Sequence, residues 1–379
     1  MGLHAPHWSR RQWLAAGMGA TMMLTLPGCA KRPVRLGFMG SLTGPAADLG
    51  VAGRDGALLA VEKWNARGGI NGSPVELAVF DDRQRPGEVT SLLPAIREAG
   101  LIGLVGPMTS SVAERWIPLA NQERLVTVSP TVTSSDFTGQ DDHFFRVCST
   151  TKEYARLSAE RHIGARHGGR YAIVRDDSNA AYSRSWAEHF TERAEELGAQ
   201  VIHQEAYRLD SPGESLAPVL ARTMAHAPDT LVIVTNALDA ANLLQLLRRE
   251  QHAVQVITAE WSATEQLLDL AGRAAEGVMV AQYFDRNSQT PAYQAFKTTF
   301  GSRFQRSPGF AEVAAFDATH VLLSAYARRQ RGEDLRSALL RIRQFEGLQQ
   351  TIAFNEHGDA ERRLYITHVS NGQYMAEAQ

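Results

Sequence analysis

The chain has 379 residues, 44% of them hydrophobic and 21% charged, with 39 Lys and Arg against 41 Asp and Glu. That near-neutral balance, without a basic block, argues against nucleic acid, whose recognition needs a concentrated cationic surface. Two cysteines exclude a multi-cysteine zinc site, and a chain of this length buries enough apolar surface without disulfides.

Ser9-Arg10-Arg11-Gln12-Trp13-Leu14 sets paired arginines ahead of an apolar run, Trp13 to Leu26, too short to span a bilayer comfortably. It resembles a twin-arginine export signal. Leu26-Pro27-Gly28-Cys29 resembles a lipobox, in which Cys29 becomes the lipidated first residue of the mature protein. Residues 1–28 are therefore expected to be an export signal, and the mature chain a tethered extracytoplasmic lipoprotein. An ordinary cleaved signal and an uncleaved anchor are the alternatives. Removing Arg10 and Arg11 leaves 37 basic against 41 acidic residues, a formal charge of −4. Cys148, in Phe144-Phe145-Arg146-Val147-Cys148, reads as a small buried strand residue rather than a nucleophile.

Leu36–Arg83 reads as one βαβ unit: a strand, a Gly/Pro loop, a helix over Gly50–Arg67, the glycine turn 68–72 and a second strand. Further strand-like runs are Leu101–Val105, Val126–Ser129, Tyr171–Arg175, Gln200–Ala206, Thr230–Thr235, Val254–Thr258 and Val278–Gln282. Helical patterns lie between them, and later ones follow at Ala292–Phe304, Ala311–Arg331 and Leu335–Arg343. This alternation predicts an α/β protein with doubly wound parallel sheets, and the length favours two lobes. Passages between lobes are placed near Thr150, Gln282 and Leu348. The expected lobes are 34–150 with 283–347, and 151–282 with 348–376.

Catalysis finds no support. The sequence holds no HExxH and no GxSxG, its histidines lack metal spacing, and the Gly37–Gly44 loop is not GxGxxG. Neither a cofactor nor a metal is expected.

Six stretches in order carry a resemblance: the glycine loop ending Ser41-Leu42-Thr43-Gly44-Pro45, Asn65-Ala66-Arg67-Gly68-Gly69-Ile70-Asn71-Gly72, Asp81-Asp82, Val105-Gly106-Pro107-Met108-Thr109-Ser110-Ser111, Val128-Ser129-Pro130 and Ala274-Ala275-Glu276-Gly277-Val278. Together they resemble the type I periplasmic binding proteins, in the branch that binds branched-chain amino acids and amides. The resemblance implies two Rossmann-like lobes joined by a three-strand hinge. It also implies a small ligand held between the lobes and handed to the permease of an ABC importer. A ligand sensor, or an envelope lipoprotein acting by contact alone, is the alternative on the same fold.

A free amino acid would need hydroxyls and a helix N-terminus for its carboxylate, and an acid for its ammonium. Ser110 or Ser111 is expected to cap the helix after Val105. By resemblance Ser110, Thr131 and Thr133 align with the carboxylate site, Glu260 with the ammonium-binding acid, and Tyr182 with an aromatic wall. Leu49, Asp239 and Phe316 are the weaker candidates. Leu49 and Asp239 stand where relatives often place aromatic residues, which leaves the ligand's side chain open.

Overall fold

The computed structural model describes residues 2, 31–44, 47–165, 169–209 and 214–377. The expected export signal with Arg10, Arg11 and Cys29 lies outside the described residues. β1 (Val34–Gly40) is buried from Leu36 to Gly40, as a strand covered on both faces must be. α1 (Ala47–Ala66) returns the chain to the sheet's amino edge. At Gly69 a Cβ would sit 2.0 Å from the Ser73 carbonyl oxygen, so only glycine closes this turn. Asn65 clamps it through the backbone N–H and C=O of Val75, at 2.8 and 2.9 Å. β2 (Val75–Asp81) then pairs parallel with β1. After α2 (Glu88–Ala99), β3 (Leu104–Val105), α3 (Ser110–Glu123), β4 (Thr127–Ser129) and β5 (Phe144–Arg146), the first sheet has the order β2-β1-β3-β4-β5, parallel throughout.

The second sheet follows through α4 (Thr151–Gly164), β6 (Arg170–Asp176), α5 (Ala180–Glu196), β7 (Gln200–Tyr207), α6 (Ala217–Met224), β8 (Thr230–Val234), α7 (Ala237–Arg249), β9 (Gln255–Thr258), α8 (Glu265–Ala271) and β10 (Met279–Gln282). The chain then crosses back. α9 (Pro291–Phe304), α10 (Phe310–Ala327) and α11 (Leu335–Ile342) join the first lobe, with α10 packed on α1, β3 and β4. That packing is close enough that a Cβ on Gly56 would stand 2.2 Å from the Glu312 carbonyl oxygen. The hairpin β11 (Gln344–Glu346) and β12 (Thr351–Ala353) precedes β13 (Tyr365–Ser370) and β14 (Gln373–Ala376). The second sheet runs β14-β13-β10-β9-β8-β6-β7, parallel from β10 to β7 and antiparallel at β13 and β14.

The parallel parts share one order, second-first-third-fourth-fifth. Each therefore reverses beside its first strand, and the loops there, after β1 and β3 and after β6 and β8, are where such sheets hold ligands. β5 and the four C-terminal strands are absent from the sequence expectation; β5, β11 and β12 have only three residues each. The hairpin packs Phe345 and Phe354 toward Phe145 of β5, and Arg146 pairs with Asp359 at 2.7 Å. The third passage accordingly falls after that pair rather than at Leu348. Arg362 ties the passages together. Its guanidinium donates to the Val147 carbonyl at 2.8 Å and to Asp317 at 2.6 Å, and lies 5.2 Å from the Tyr283 ring centre.

Candidate ligand-binding site

Between the carboxyl edges of the two sheets lies a cavity walled by both lobes. Leu49, Met108, Thr131 and Thr133 come from the first, and Asn179, Tyr182, Glu260 and Trp261 from the second. Tyr154, Tyr283 and Phe310 complete a largely apolar wall. About 30 Å³ is open inside it to the centre of a water-sized sphere, roughly two waters' worth on that measure, so the closed lobes suit a compact guest.

Among the described residues Glu260 is the one acid on this wall. It opens a helical turn, Glu260–Ser262, just past β9, and is 8% exposed. Every group holding it is uncharged: the Thr133 hydroxyl donates to Oε1 at 3.3 Å, the Trp186 indole to Oε2 at 3.1 Å, and the Tyr182 phenol also bonds it. Burial disfavours the charge and pushes the Glu260 carboxyl up to about 7, against the pull of these donors and its own backbone N–H. Tyr154, Tyr182 and Cys148 nearby keep their protons, since burial raises all three. Cys148 Sγ donates to the Val132 carbonyl at 3.4 Å, so its role is packing on the wall.

Of the expected carboxylate-binding hydroxyls, Thr131 and Thr133 reach the wall. In this closed arrangement each is engaged, Thr131 donating to the Met108 carbonyl at 2.6 Å and Thr133 to Glu260. Ser110 does not line the cavity. It is the first residue of α3, and its hydroxyl accepts the Ser134 N–H at 3.3 Å, fixing the loop after β4. Nor does Ser110 or Ser111 cap α3; Thr109 holds the cap position. Leu49 and Tyr182 are on the wall.

Two weaker candidates lie away from the cavity. Asp239 lies in the first turn of α7, where its carboxylate accepts from the Tyr207 phenol at 2.8 Å and from Asn236 at 3.2 Å, away from the cavity. Phe316 lies inside the first lobe, edge-on to Phe296 at 5.1 Å and beneath the Lys63 ammonium. Phe310 lines the cavity instead, because α10 begins at the cleft and has turned into its own lobe six residues later. The sequence reading also missed Trp186, although one helical turn separates it from Tyr182 on the same face. Asn179, Trp261 and Met108 carried no signal beyond lying next to strand ends. Among the described residues no group of three or more His, Cys, Asp or Glu side chains could hold a metal ion.

A family model described as periplasmic binding protein matches residues 33–373. The chain belongs to that family. Its members are solute-binding proteins and not enzymes. The chain is 22% identical over 328 residues to a leucine-, isoleucine-, valine-, threonine- and alanine-binding protein of Pseudomonas aeruginosa, covering 86% of this chain and 87% of that protein. Among solved structures, a branched-chain amino acid transporter substrate-binding protein from Streptococcus pneumoniae, in complex with isoleucine, superposes with a TM-score of 0.82. It is 19% identical and covers 91% of this chain and 99% of that one. A solute-binding protein of an ABC transporter from Rhodopseudomonas palustris, in complex with 3,4-dihydroxybenzoic acid, also gives 0.82, at 20% identity, over 91% of this chain and 96% of that one. This periplasmic binding protein has no helix among its described residues long and apolar enough to cross a membrane.

Proposed function

We propose that the chain captures a free α-amino acid with a compact apolar side chain and delivers it to an ABC importer, outside the cytoplasm and tethered through lipid on Cys29. Glu260 carries this reading. An acid buried among uncharged donors in an apolar cavity lacks a cation, and a ligand ammonium supplies it. Thr131 would take the carboxylate, while Leu49, Met108, Trp261 and Phe310 would enclose the side chain. Thr131 and Thr133 belong to one lobe and Glu260 to the other, so a molecule with both ends bridges them and favours closure. The relatives named above support an amino acid or an acid as cargo. The second reading follows from the same carboxyl: protonated, Glu260 would donate to a carboxylate, as an aromatic acid requires.

A thermal-shift screen of residues 30–379, unfolded and refolded to strip carried ligand, separates the two. A ligand bound only by the folded state raises the melting temperature. The proposal predicts a shift with one or a few L-amino acids. Shifts confined to benzoate-like acids lacking an ammonium would overturn it.

A further inference from the structure

The N-termini of α3 and α5 meet across the cleft, one from each lobe. The first N–H groups of a helix have no acceptor within it, and the N-cap side chain ordinarily takes that of the second or third residue. Thr109 and Asn179 hold the two cap positions, yet neither side chain caps its own helix. The caps are exchanged. Asn179 Oδ1 accepts the N–H of Ser111, second residue of α3, at 3.0 Å. Ser111 Oγ accepts the N–H of Ala181, second residue of α5, at 3.1 Å. Thr109 Oγ1, whose donor at the second helical position is taken by Asn179, is buried without a hydrogen-bond partner. Ser111 and Asn179 are 7% and 3% exposed, so little water reaches the joint.

We infer that Thr109, Ser111 and Asn179 form a cap-exchange joint that sets the balance between closed and open lobes, and through it the affinity of the cavity. When the lobes part, Thr109 and Asn179 are free to cap their own helices, so the exchanged N–H groups have acceptors in both states. The Ser111 hydroxyl bond to Ala181 exists only when closed. Thr109 is satisfied only when open. The two residues therefore bias one equilibrium in opposite directions, and neither lines the cavity. The effect on affinity rests on the solute-binding reading above; the joint itself does not.

Spin labels at Glu98→Cys on α2 and Glu188→Cys on α5 report the inter-lobe distance by dipolar electron resonance in the ligand-free protein. Ser111→Ala is expected to lower the closed-to-open ratio about fivefold, the effect of losing one cap. Thr109→Val, near-isosteric, is expected to raise it by a similar factor, and Ser111→Thr to restore the parent ratio by keeping the hydroxyl. The dissociation constant for L-leucine moves inversely with the ratio. Opposite shifts in distance with no binding of any amino acid would uphold the joint and overturn the ligand reading. Shifts of the same sign in Ser111→Ala and Thr109→Val, or no shift in either, would overturn the joint.

Discussion

Replacing Glu260 by Gln should weaken binding and strengthen folding at once. The Glu260 carboxyl rises from 4.5 to about 7 on folding, so the folded chain holds an extra proton between those values. Stability contributed by this group is therefore lost as pH rises through that window, and at pH 8 the deficit is about 3 kcal/mol. Gln has the same shape and no charge, but only one acceptor oxygen for the donors of Thr133, Trp186 and Tyr182. Losing an acceptor returns about 1 kcal/mol. The net expectation is a gain of about 2 kcal/mol in ligand-free stability at pH 8, read by urea unfolding. Binding moves the other way. A ligand ammonium deprived of its buried partner loses about 3 kcal/mol, on the order of 150-fold in Kd by calorimetry. An unchanged Kd, or a ligand-free variant less stable than the parent at pH 8, would rule out an ionised, ammonium-binding Glu260.

Ammonium capture needs Glu260 ionised, so the parent protein's amino acid affinity should fall about tenfold from pH 8 to pH 6 and Glu260→Gln should flatten that profile. Phe310→Ala opens the cavity and should shift ligand preference toward larger side chains in a competition assay. Phe316→Ala should cost about 3–5 kcal/mol of stability in urea unfolding, with preference unchanged. Arg362→Met strands Asp317 in the core and should destabilise by about 3–5 kcal/mol, most of which Asp317→Leu in the same chain should recover. Cys148, buried with its thiol pushed up to about 12, should resist maleimide until the chain unfolds, followed by mass spectrometry.

The lobes were legible because buried parallel strands read as short apolar runs and the glycine turns are stereochemically obligatory. Gly69 is the clearest case, with no room for a Cβ. The three-residue strands β5, β11 and β12 left no periodic trace, and the hairpin's allegiance depends on Phe345, Phe354 and Asp359 meeting β5 across the chain. At the site, Thr131, Thr133, Tyr182 and Glu260 stood next to strand ends or helix starts, where chemistry and resemblance pointed together. Phe316 misled because an apolar helix offers several equivalent aromatics to a linear reading; only its start at the cleft selects Phe310. Asp239 misled because its partner Tyr207 lies 32 residues away on another strand. The cap exchange was invisible for the same reason. Ser111 reads as an ordinary helix-start residue until the lobes are seen together.

A ligand ammonium is proposed to complete the buried site of Glu260. Calorimetric titration of one refolded sample with L-leucine and with 4-methylpentanoate, its analogue without the amino group, tests it most directly. Leucine should bind, with a loss on the order of a hundredfold or more for the analogue. Equal binding of the two, or tighter binding of the analogue, would contradict it.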